Sequence, residues 1–178
     1  FNLKEMILTI KDTLEPYANI NNNQIKVSQP KKSITVRSDE MKIRQILFNL
    51  LTNACKHSED STVNLLIQQE KIDHLNYLSF TIEDSGLGIP KNKLEEIFEP
   101  FSQVDSTENR KVKGTGLGLT ISKAYSELLG GYINVKSEEG KGSLFTSHIL
   151  QDYFSAKEKK IKKYLDNMSE KPPSTQEE

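Results

Sequence analysis

Two clusters of glycine stand out in this 178-residue chain. The first reads Asp84-Ser-Gly-Leu-Gly-Ile89 and the second reads Gly114-Thr-Gly-Leu-Gly-Leu119. Glycine lets a backbone approach a ligand without Cβ collisions, and the second cluster opens a helical stretch whose free N–H groups suit phosphate. A predicted helix upstream carries Asn49 and Asn53. Together these features predict a nucleotide pocket.

The overall composition fits one ordinary domain with an appendage, long enough to bury a core. A net charge of −1 argues against a nucleic-acid-binding protein. No window approaches a membrane span and the start shows no signal peptide. We expect a cytoplasmic segment without direct membrane contact, whether or not the parent protein is anchored. The single cysteine, Cys55, is expected to be an inert residue beside the core.

Apolar residues at helical spacing predict a first helix, which Pro16 and the run Asn21–Asn23 are expected to end. Short strands are predicted at residues 24–27 and 33–37. The residues that define the helix are Leu3, Met6, Ile7, Ile10 and Leu14.

A second helix is predicted from an N-cap at Ser38 to about Lys56. On a helix advancing about 100° per residue, Asn49, Asn53 and Lys56 cluster at the edge of an apolar arc. The helix is therefore expected to turn this polar edge toward a cavity. The arc consists of Ile43, Ile46, Leu47, Leu50, Leu51 and Ala54.

Alternating β-prone runs at 62–69 and 77–83 predict an antiparallel hairpin, and runs at 132–136 and 143–150 predict another. A short helix is predicted from Pro90 to Ile97 and a longer one from Thr115 to Leu129, ended by Gly130-Gly131. These elements indicate an α+β fold, a two-layer sandwich with helices on one face of a sheet. Residues 1–154 are expected to form the domain, and 155–178 a charged linker with a weak helix and then a disordered tail.

The motif order, an Asn-bearing helix, Asp-x-Gly-x-Gly, Phe-x-x-Phe and Gly-x-Gly-x-Gly, resembles the ATP-binding catalytic domain of sensor histidine kinases in the GHKL superfamily. The resemblance covers residues 1–154, and four motifs in this order are far more specific than any one alone. It implies the family's Bergerat fold, a mixed, mostly antiparallel sheet with three helices over it. The lid sequence and the charged tail look most like hybrid kinases.

The resemblance also assigns roles on the second helix. Asn53 is expected to coordinate Mg²⁺ through its side-chain oxygen, with Asn49 beside the phosphates of ATP and Lys56 pairing with them. These three residues are the expected catalytic group. His57 is expected to pack near the adenine.

At the adenine end, Asp84 is expected to accept a hydrogen bond from the exocyclic amine, and this contact selects adenine over guanine. The backbone at Gly86, Gly88 and Ile89 lies against the base in the family. Ser143, in a Gly-x-Gly-Ser variant of the last family motif, would support Asp84 through its hydroxyl.

At the phosphate end, Phe98 and Phe101 resemble the family's F box, which anchors a lid over the nucleotide. The lid, Ser102–Lys113, is expected to be mobile without ligand and to bring Arg110 and Lys111 toward the phosphates. Lys113 departs from the usual glycine pair. The backbone that cradles the phosphates is expected to be Gly114, Thr115, Gly116, Leu117, Gly118 and Leu119.

Relatives that hydrolyse ATP carry a glutamate four residues before the metal-binding asparagine, and this chain has Asn49 there. An amide cannot take a proton, so transfer to an external acceptor is favoured over hydrolysis. None of the three histidines, His57, His74 and His148, has the context of a phosphoacceptor.

The expected partners are therefore the dimerisation and histidine phosphotransfer domain of the same kinase and a receiver domain. Two alternatives stay open: a non-catalytic ATP-sensing module, and a serine/threonine-directed member of the superfamily, against which the F box and lid argue.

Overall fold

The structure is a computed structural model that describes residues 1–103 and 114–169. The helices are α1 Leu3–Ile20, α2 Glu40–His57, α3 Gly118–Leu128 and α4 Tyr153–Ser169. Two short 3₁₀ helices cover Lys91–Lys93 and Glu96–Phe98. The strands are β1 Gln24–Ser28, β2 Thr62–Ile72, β3 Leu75–Asp84, β4 Tyr132–Glu138 and β5 Gly142–Leu150.

The strands form one five-stranded sheet in the order β1-β2-β3-β5-β4. Only β1 and β2 pair in parallel, and the other three pairs are antiparallel. A two-residue turn with left-handed backbone at Asp73 (φ 47°) and His74 (φ 66°) joins β2 to β3, the geometry that suits the twist of a tight hairpin. The predicted fold class, a mixed and mostly antiparallel sheet under a layer of helices, is confirmed.

Helix α2 lies at the centre of the core. Its apolar arc is at most 5% exposed at every position, and it contacts α1, α3 and the inner face of the sheet. The inner face contributes alternate residues of β2 and β3, among them Leu65, Ile67, Phe80 and Ile82. This placement leaves one edge of α2 outside the core, as the arc predicts.

Helix α1 runs through Pro16 instead of ending there. Proline removes one N–H and crowds one turn, but Leu14 and Ala18 on either side are 0% and 2% exposed, so the packing of this face outweighs the local disfavour. The helix ends at Ile20, where Asn21 takes the C-cap position. The predicted stop at the asparagine run is therefore correct, and the stop at Pro16 is wrong.

Residues 33–37, expected as a strand, form only isolated bridges between Asn2 and Thr35 and between Arg37 and Asp152. Their backbone bonds are divided between the chain start and the end of β5, because Val36 N donates to Phe1 O (3.0 Å) and Arg37 N donates to Gln151 O (3.0 Å). A segment that bonds to two separate elements cannot extend one ladder.

The N-cap of α2 is Asp39 and not Ser38. The Asp39 carboxylate accepts a hydrogen bond from Lys42 N (3.1 Å), as N-cap side chains do, and it also pairs with the Lys42 ammonium. Ser38 is buried, and its Oγ finds no partner among the described residues. The predicted N-cap at Ser38 is therefore wrong by one residue.

Two predicted helices differ in their bounds. Helix α3 begins at Gly118 and not at Thr115, because Gly116 has a φ of +70°, outside the helical region. The helix expected from Pro90 to Ile97 is divided into the two 3₁₀ segments.

Helix α4 crosses the predicted domain boundary at residue 154. Asp152 caps it by accepting a hydrogen bond from Ser155 N (3.1 Å), and Arg37 Nη1 donates to Ser155 Oγ (2.8 Å). The helix expected after residue 155 is thus present and is tied to the domain at its first turn. None of the helices in the described ranges is long and apolar enough to cross a membrane.

The burial of α2 gives a direct test of the fold. Leu47→Ala should lower the free energy of unfolding by about 2–5 kcal/mol, because the side chain is 0% exposed at the helix centre. Met41→Ala on the same helix, 77% exposed, is the matched control and should change it by no more than about 0.5 kcal/mol. Urea denaturation measures both, and equal effects would contradict the placement of α2.

Candidate nucleotide site

Within residues 1–103 and 114–169, the amide and the ammonium at the polar edge of α2 have no partner. Asn53 is half-buried, and its side chain makes no hydrogen bond within the described ranges. Lys56 is also half-buried, burial lowers its pKa, and none of the carboxylates in the described part of the chain pairs with it. Polar groups at the margin of a core normally find partners. This pair therefore fits a ligand that brings negative charge and a cation.

Asn49, one turn earlier, is already engaged. Its Oδ1 accepts a hydrogen bond from Gln45 Nε2 (2.8 Å), and its Nδ2 donates to Gly118 O (3.0 Å). Gly118 is the first residue of α3, so Asn49 fixes the start of α3 against α2. Sequence analysis did not single out Gln45 or this bridging contact.

The second glycine cluster lies between Lys56 and the F box. A Cβ on Gly114 would be 3.0 Å from Lys56 Nζ. On the other side, Phe101 N donates to Gly116 O (3.0 Å), and a Cβ on Gly116 would be 2.7 Å from Phe101 Cα. The cluster thus brings backbone close to the α2 ammonium.

The N-terminal end of α3, at Gly118, lies beside Asn49 of α2. No side chain of the described residues caps it, although Leu117 N lies 3.4 Å from Thr115 Oγ1. The first N–H groups of a helix have no partner inside the helix and carry its positive dipole end. Leu119 packs against the core below, and Thr120 Oγ1 is buried without a partner among the described residues.

Asp84 ends β3 opposite Ser143 and is 8% exposed. Its Oδ1 accepts a hydrogen bond from Gly86 N (2.9 Å). Burial raises the pKa of this carboxyl, and the backbone N–H groups of Gly86 and Ser143 oppose the rise. A Cβ on Gly86 would be 2.1 Å from His57 O, so only glycine lets the ends of β3 and α2 meet.

The loop after Asp84 is held by a serine that sequence analysis missed. Ser137 Oγ accepts a hydrogen bond from Ile89 N (2.8 Å), donates to Gly142 O (2.8 Å) and lies 2.9 Å from Ser143 Oγ. The Ser143 hydroxyl, expected to support Asp84, therefore contacts Ser137, and it is the backbone N–H of Ser143 that bonds to the Asp84 carboxyl. Gly88, with a φ of +68°, passes so close to β4 that a Cβ would be 2.0 Å from Glu138 O. The sequence signal that could have identified Ser137 is its position on the inward-facing side of β4, opposite Ser143 of β5.

The predicted flat side chains occupy different surroundings. His57 lies at the exposed end of α2, and partial desolvation of its ring, followed by the Lys56 charge, lowers its pKa. Phe98 packs edge-on against Phe145 with 6.4 Å between ring centroids. Phe101 is 73% exposed and has a φ of 63°. Its left-handed backbone turns the chain toward Gly116.

Most of the predicted lid, with Arg110, Lys111 and Lys113, lies outside the described residues, so its roles remain predictions. Cys55 is buried, and burial with the nearby Asp84 charge raises its pKa to about 11. This agrees with an inert thiol.

No group of three or more His, Cys, Asp or Glu side chains in residues 1–103 and 114–169 could hold a metal ion. Mg²⁺ keeps several waters and is usually bound through one or two protein groups and the phosphates of its substrate. The free amide of Asn53 fits that requirement, and it fits only if the nucleotide supplies the remaining oxygens.

A family model described as "Histidine kinase-, DNA gyrase B-, and HSP90-like ATPase" matches residues 38–152. This range contains α2, both glycine clusters and Asp84. The chain belongs to this family, and the predicted recognition as the ATP-binding domain of a sensor histidine kinase is confirmed.

Curated relatives are similar over the same region. The autoinducer 2 sensor kinase/phosphatase LuxQ of Vibrio cholerae is 40% identical over 146 residues, which cover 82% of this chain and 17% of LuxQ. Hybrid signal transduction histidine kinase B of Dictyostelium discoideum is 42% identical over 118 residues, covering 66% of this chain and 6% of the relative. The chain thus spans less than a fifth of the length of these relatives.

Among solved structures, full-length ShkA in complex with AMPPNP is similar with a TM-score of 0.69 and 31% identity, covering 83% of this chain and 29% of ShkA. The histidine kinase AdeS of Acinetobacter baumannii shares the fold with a TM-score of 0.65 at 22% identity, covering 85% of this chain and 66% of AdeS.

The raised pKa of Asp84 predicts that replacing its carboxyl by an amide stabilises the fold in a pH-dependent way. Because the folded state favours the protonated carboxyl of Asp84, protonation of this group stabilises the fold. This stabilisation is complete below the unfolded pKa near 3.8 and is lost as pH rises through the higher folded pKa. Asp84→Asn should therefore leave the melting temperature almost unchanged near pH 3 and raise it at pH 7. Glu15→Gln, an exposed carboxylate on α1, is the matched control for the removal of one negative charge. A lower melting temperature for Asp84→Asn at pH 7 would contradict the cause assigned to the shift.

Proposed function

We propose that this chain is the catalytic ATP-binding domain of a hybrid sensor histidine kinase. It binds Mg-ATP and delivers the γ-phosphate to a histidine on a separate dimerisation domain. The observation that carries the proposal is the convergence of four features of the described residues around the second half of α2. They are the Asn53 amide and the Lys56 ammonium, which have no partner there, the uncapped start of α3 and the buried carboxylate of Asp84.

The carboxylate of Asp84 defines the adenine end. A buried carboxylate whose described partners are the backbone N–H groups of Gly86 and Ser143 keeps acceptor capacity for the exocyclic amine of adenine. Guanine presents a carbonyl at that position, and a site built on a hydrogen bond discriminates strongly against a partner that lacks it. Gly86 and Gly88 hold the adjoining loop against α2 and β4.

The phosphate end lies between Lys56 and the start of α3. The ammonium and the helix N–H groups provide positive charge for the β- and γ-phosphates. Asn53 would hold Mg²⁺ through its amide oxygen, and the ion would supply neutralisation of phosphate charge when bound.

Transfer is favoured over hydrolysis because the position of a hydrolytic base is Asn49. Its amide has no basic site, and both of its ends are bonded to Gln45 and Gly118. The acceptor is external, since His57 ends α2, His74 is in a hairpin turn and His148 is buried in β5. The proposed partners are the dimerisation and phosphotransfer domain and a receiver domain, and the proposed location is the cytoplasm. One relative named as a hybrid signal transduction histidine kinase and another named as a hybrid signal transduction protein support the receiver domain.

The isolated chain should bind ATP and ADP with Mg²⁺ and discriminate against GTP. Asp84→Ala should lose most of the binding, because the adenine amine would be buried without an acceptor, an effect of about 1–3 kcal/mol. Titration calorimetry measures these affinities, and Glu83→Ala is the neighbouring control. Equal affinity for ATP and GTP would contradict the proposed role of Asp84 in recognising adenine.

Asn53→Ala should remove most of the Mg²⁺ enhancement of ATP binding while leaving appreciable metal-free affinity. The reason is that the amide oxygen is the proposed metal contact and has no other partner within the described ranges. Calorimetry with and without Mg²⁺ separates the two affinities, and Asn64→Ala on the exposed face of the sheet serves as control. A variant with unchanged Mg²⁺ dependence would exclude Asn53 as a ligand.

The chain alone should neither label itself with γ-³²P-ATP nor turn ATP over quickly, yet it should phosphorylate its dimerisation domain supplied separately. Transfer should be slow and rise with acceptor concentration, since a tether normally provides an effective concentration in the millimolar range. Acid-labile, base-stable label on the acceptor would identify phosphohistidine. ATP binding without transfer at high acceptor concentration would favour an ATP-sensing module.

A further inference from the structure

The run Asn21–Asn23 does more than end α1, because two of its side chains close the far end of α2. Asn23 Nδ2 donates to Cys55 O and to Ser58 O, both at 2.9 Å. Asn21 Nδ2 donates to Cys55 O (3.1 Å) and Lys56 O (3.3 Å). The donors stand 32 to 35 residues before the carbonyls that they satisfy.

These bonds replace a local cap. The last carbonyls of a helix lack partners within it, and many helices meet this need with a left-handed glycine just after the last turn. Helix α2 has no such residue, since its C-cap Ser58 is extended with φ −118° and ψ 153°. The last turn of α2 therefore depends on side chains from the loop between α1 and β1.

Asn23 is 3% exposed and uses its full hydrogen-bonding capacity. Besides the two donated bonds, its Oδ1 accepts from Ser61 N and Ser61 Oγ, both at 3.1 Å. The backbone continues the join, with Asp60 N donating to Asn21 O (3.0 Å) and Gln24 N donating to Ser61 O (2.9 Å). The loop after α1 and the loop after α2 are thus bonded as one unit.

The capped turn is the one that carries the site. Lys56 and His57 lie in this last turn, and Asn53 lies about one turn before them. The carbonyl of His57 occupies the place that a Cβ on Gly86 would need, so this end of the helix also borders the Asp84 loop. A shift of the turn moves the proposed metal and phosphate contacts together.

We propose that Asn21 and Asn23 are positioning residues of the nucleotide site. They hold the last turn of α2 so that Asn53 and Lys56 face the phosphates and Mg²⁺. The inference rests on the proposed function and adds residues that contact neither nucleotide nor metal. Residues that orient a metal ligand from behind change metal affinity or activity by roughly 10- to 100-fold when they are mutated.

The test is Asn23→Asp, which keeps the shape but places a carboxylate oxygen against two carbonyls. The readout is the ratio of ATP dissociation constants without and with Mg²⁺, measured by calorimetry. We expect this ratio to fall about 10-fold or more, with faster hydrogen exchange in the last turn of α2. Asn21→Ala, which removes two longer bonds, should give a smaller loss in the same direction.

Two controls separate positioning from general destabilisation. Asn22→Gly alters the middle residue of the run, whose left-handed backbone (φ 53°) suits glycine and whose side chain bonds, among the described residues, only to exposed Asp60. Ile67→Val weakens the core within β2, away from both loops. Neither control should change the Mg²⁺ ratio, although Ile67→Val should lower the melting temperature.

If the unsubstituted chain does not bind Mg-ATP, the proposed function is overturned, and the positioning role with it. If the unsubstituted chain binds Mg-ATP and Asn23→Asp leaves the Mg²⁺ ratio unchanged, the positioning role alone is overturned. The same holds if the ratio falls no further than in Ile67→Val. Should Asn23→Asp fail to fold, Asn21→Ala decides by the same criteria.

Discussion

Burial of the apolar arc of α2 is the contact that places the other elements. Seven α2 residues are buried between α1, α3 and the sheet, which fixes the rotation of the helix about its axis. That rotation determines which edge remains outside the core. Asn49 then reaches Gly118, Lys56 reaches Gly114, and the carbonyl of His57 reaches Gly86. The candidate site follows from the packing of one helix.

Features set by local periodicity could be predicted from sequence. The 3.6-residue spacing on α2 and the alternation in β2 and β3 gave the correct elements, because each residue's burial depends on neighbours a few positions away. The glycine clusters were informative for a similar reason. At Gly86, Gly88 and Gly116 a side chain would collide with backbone, so the residue type records a close approach that is visible in sequence.

Features that depend on distant partners could not be predicted. Pro16 remains helical because Leu14 and Ala18 are packed, which no local pattern shows. Residues 33–37 have strand-forming composition but bond to two separate elements. Ser137 and Asn23 are ordinary polar residues in sequence, and only the tertiary structure shows that each joins two segments. The site motifs were therefore foreseen more completely than the residues that hold them in place.

The remote cap of α2 also bears on the order in which the chain folds. The apolar arc can begin to pack as soon as α2 meets the sheet, whereas its last turn is complete only when the loop of Asn21 and Asn23 has docked. Contacts with large sequence separation carry a loop-closure cost before they add stability. We therefore expect the last turn to become structured late in folding. During synthesis, however, the two asparagines leave the ribosome before α2 does. The side chains that will cap α2 are therefore already available when this helix emerges.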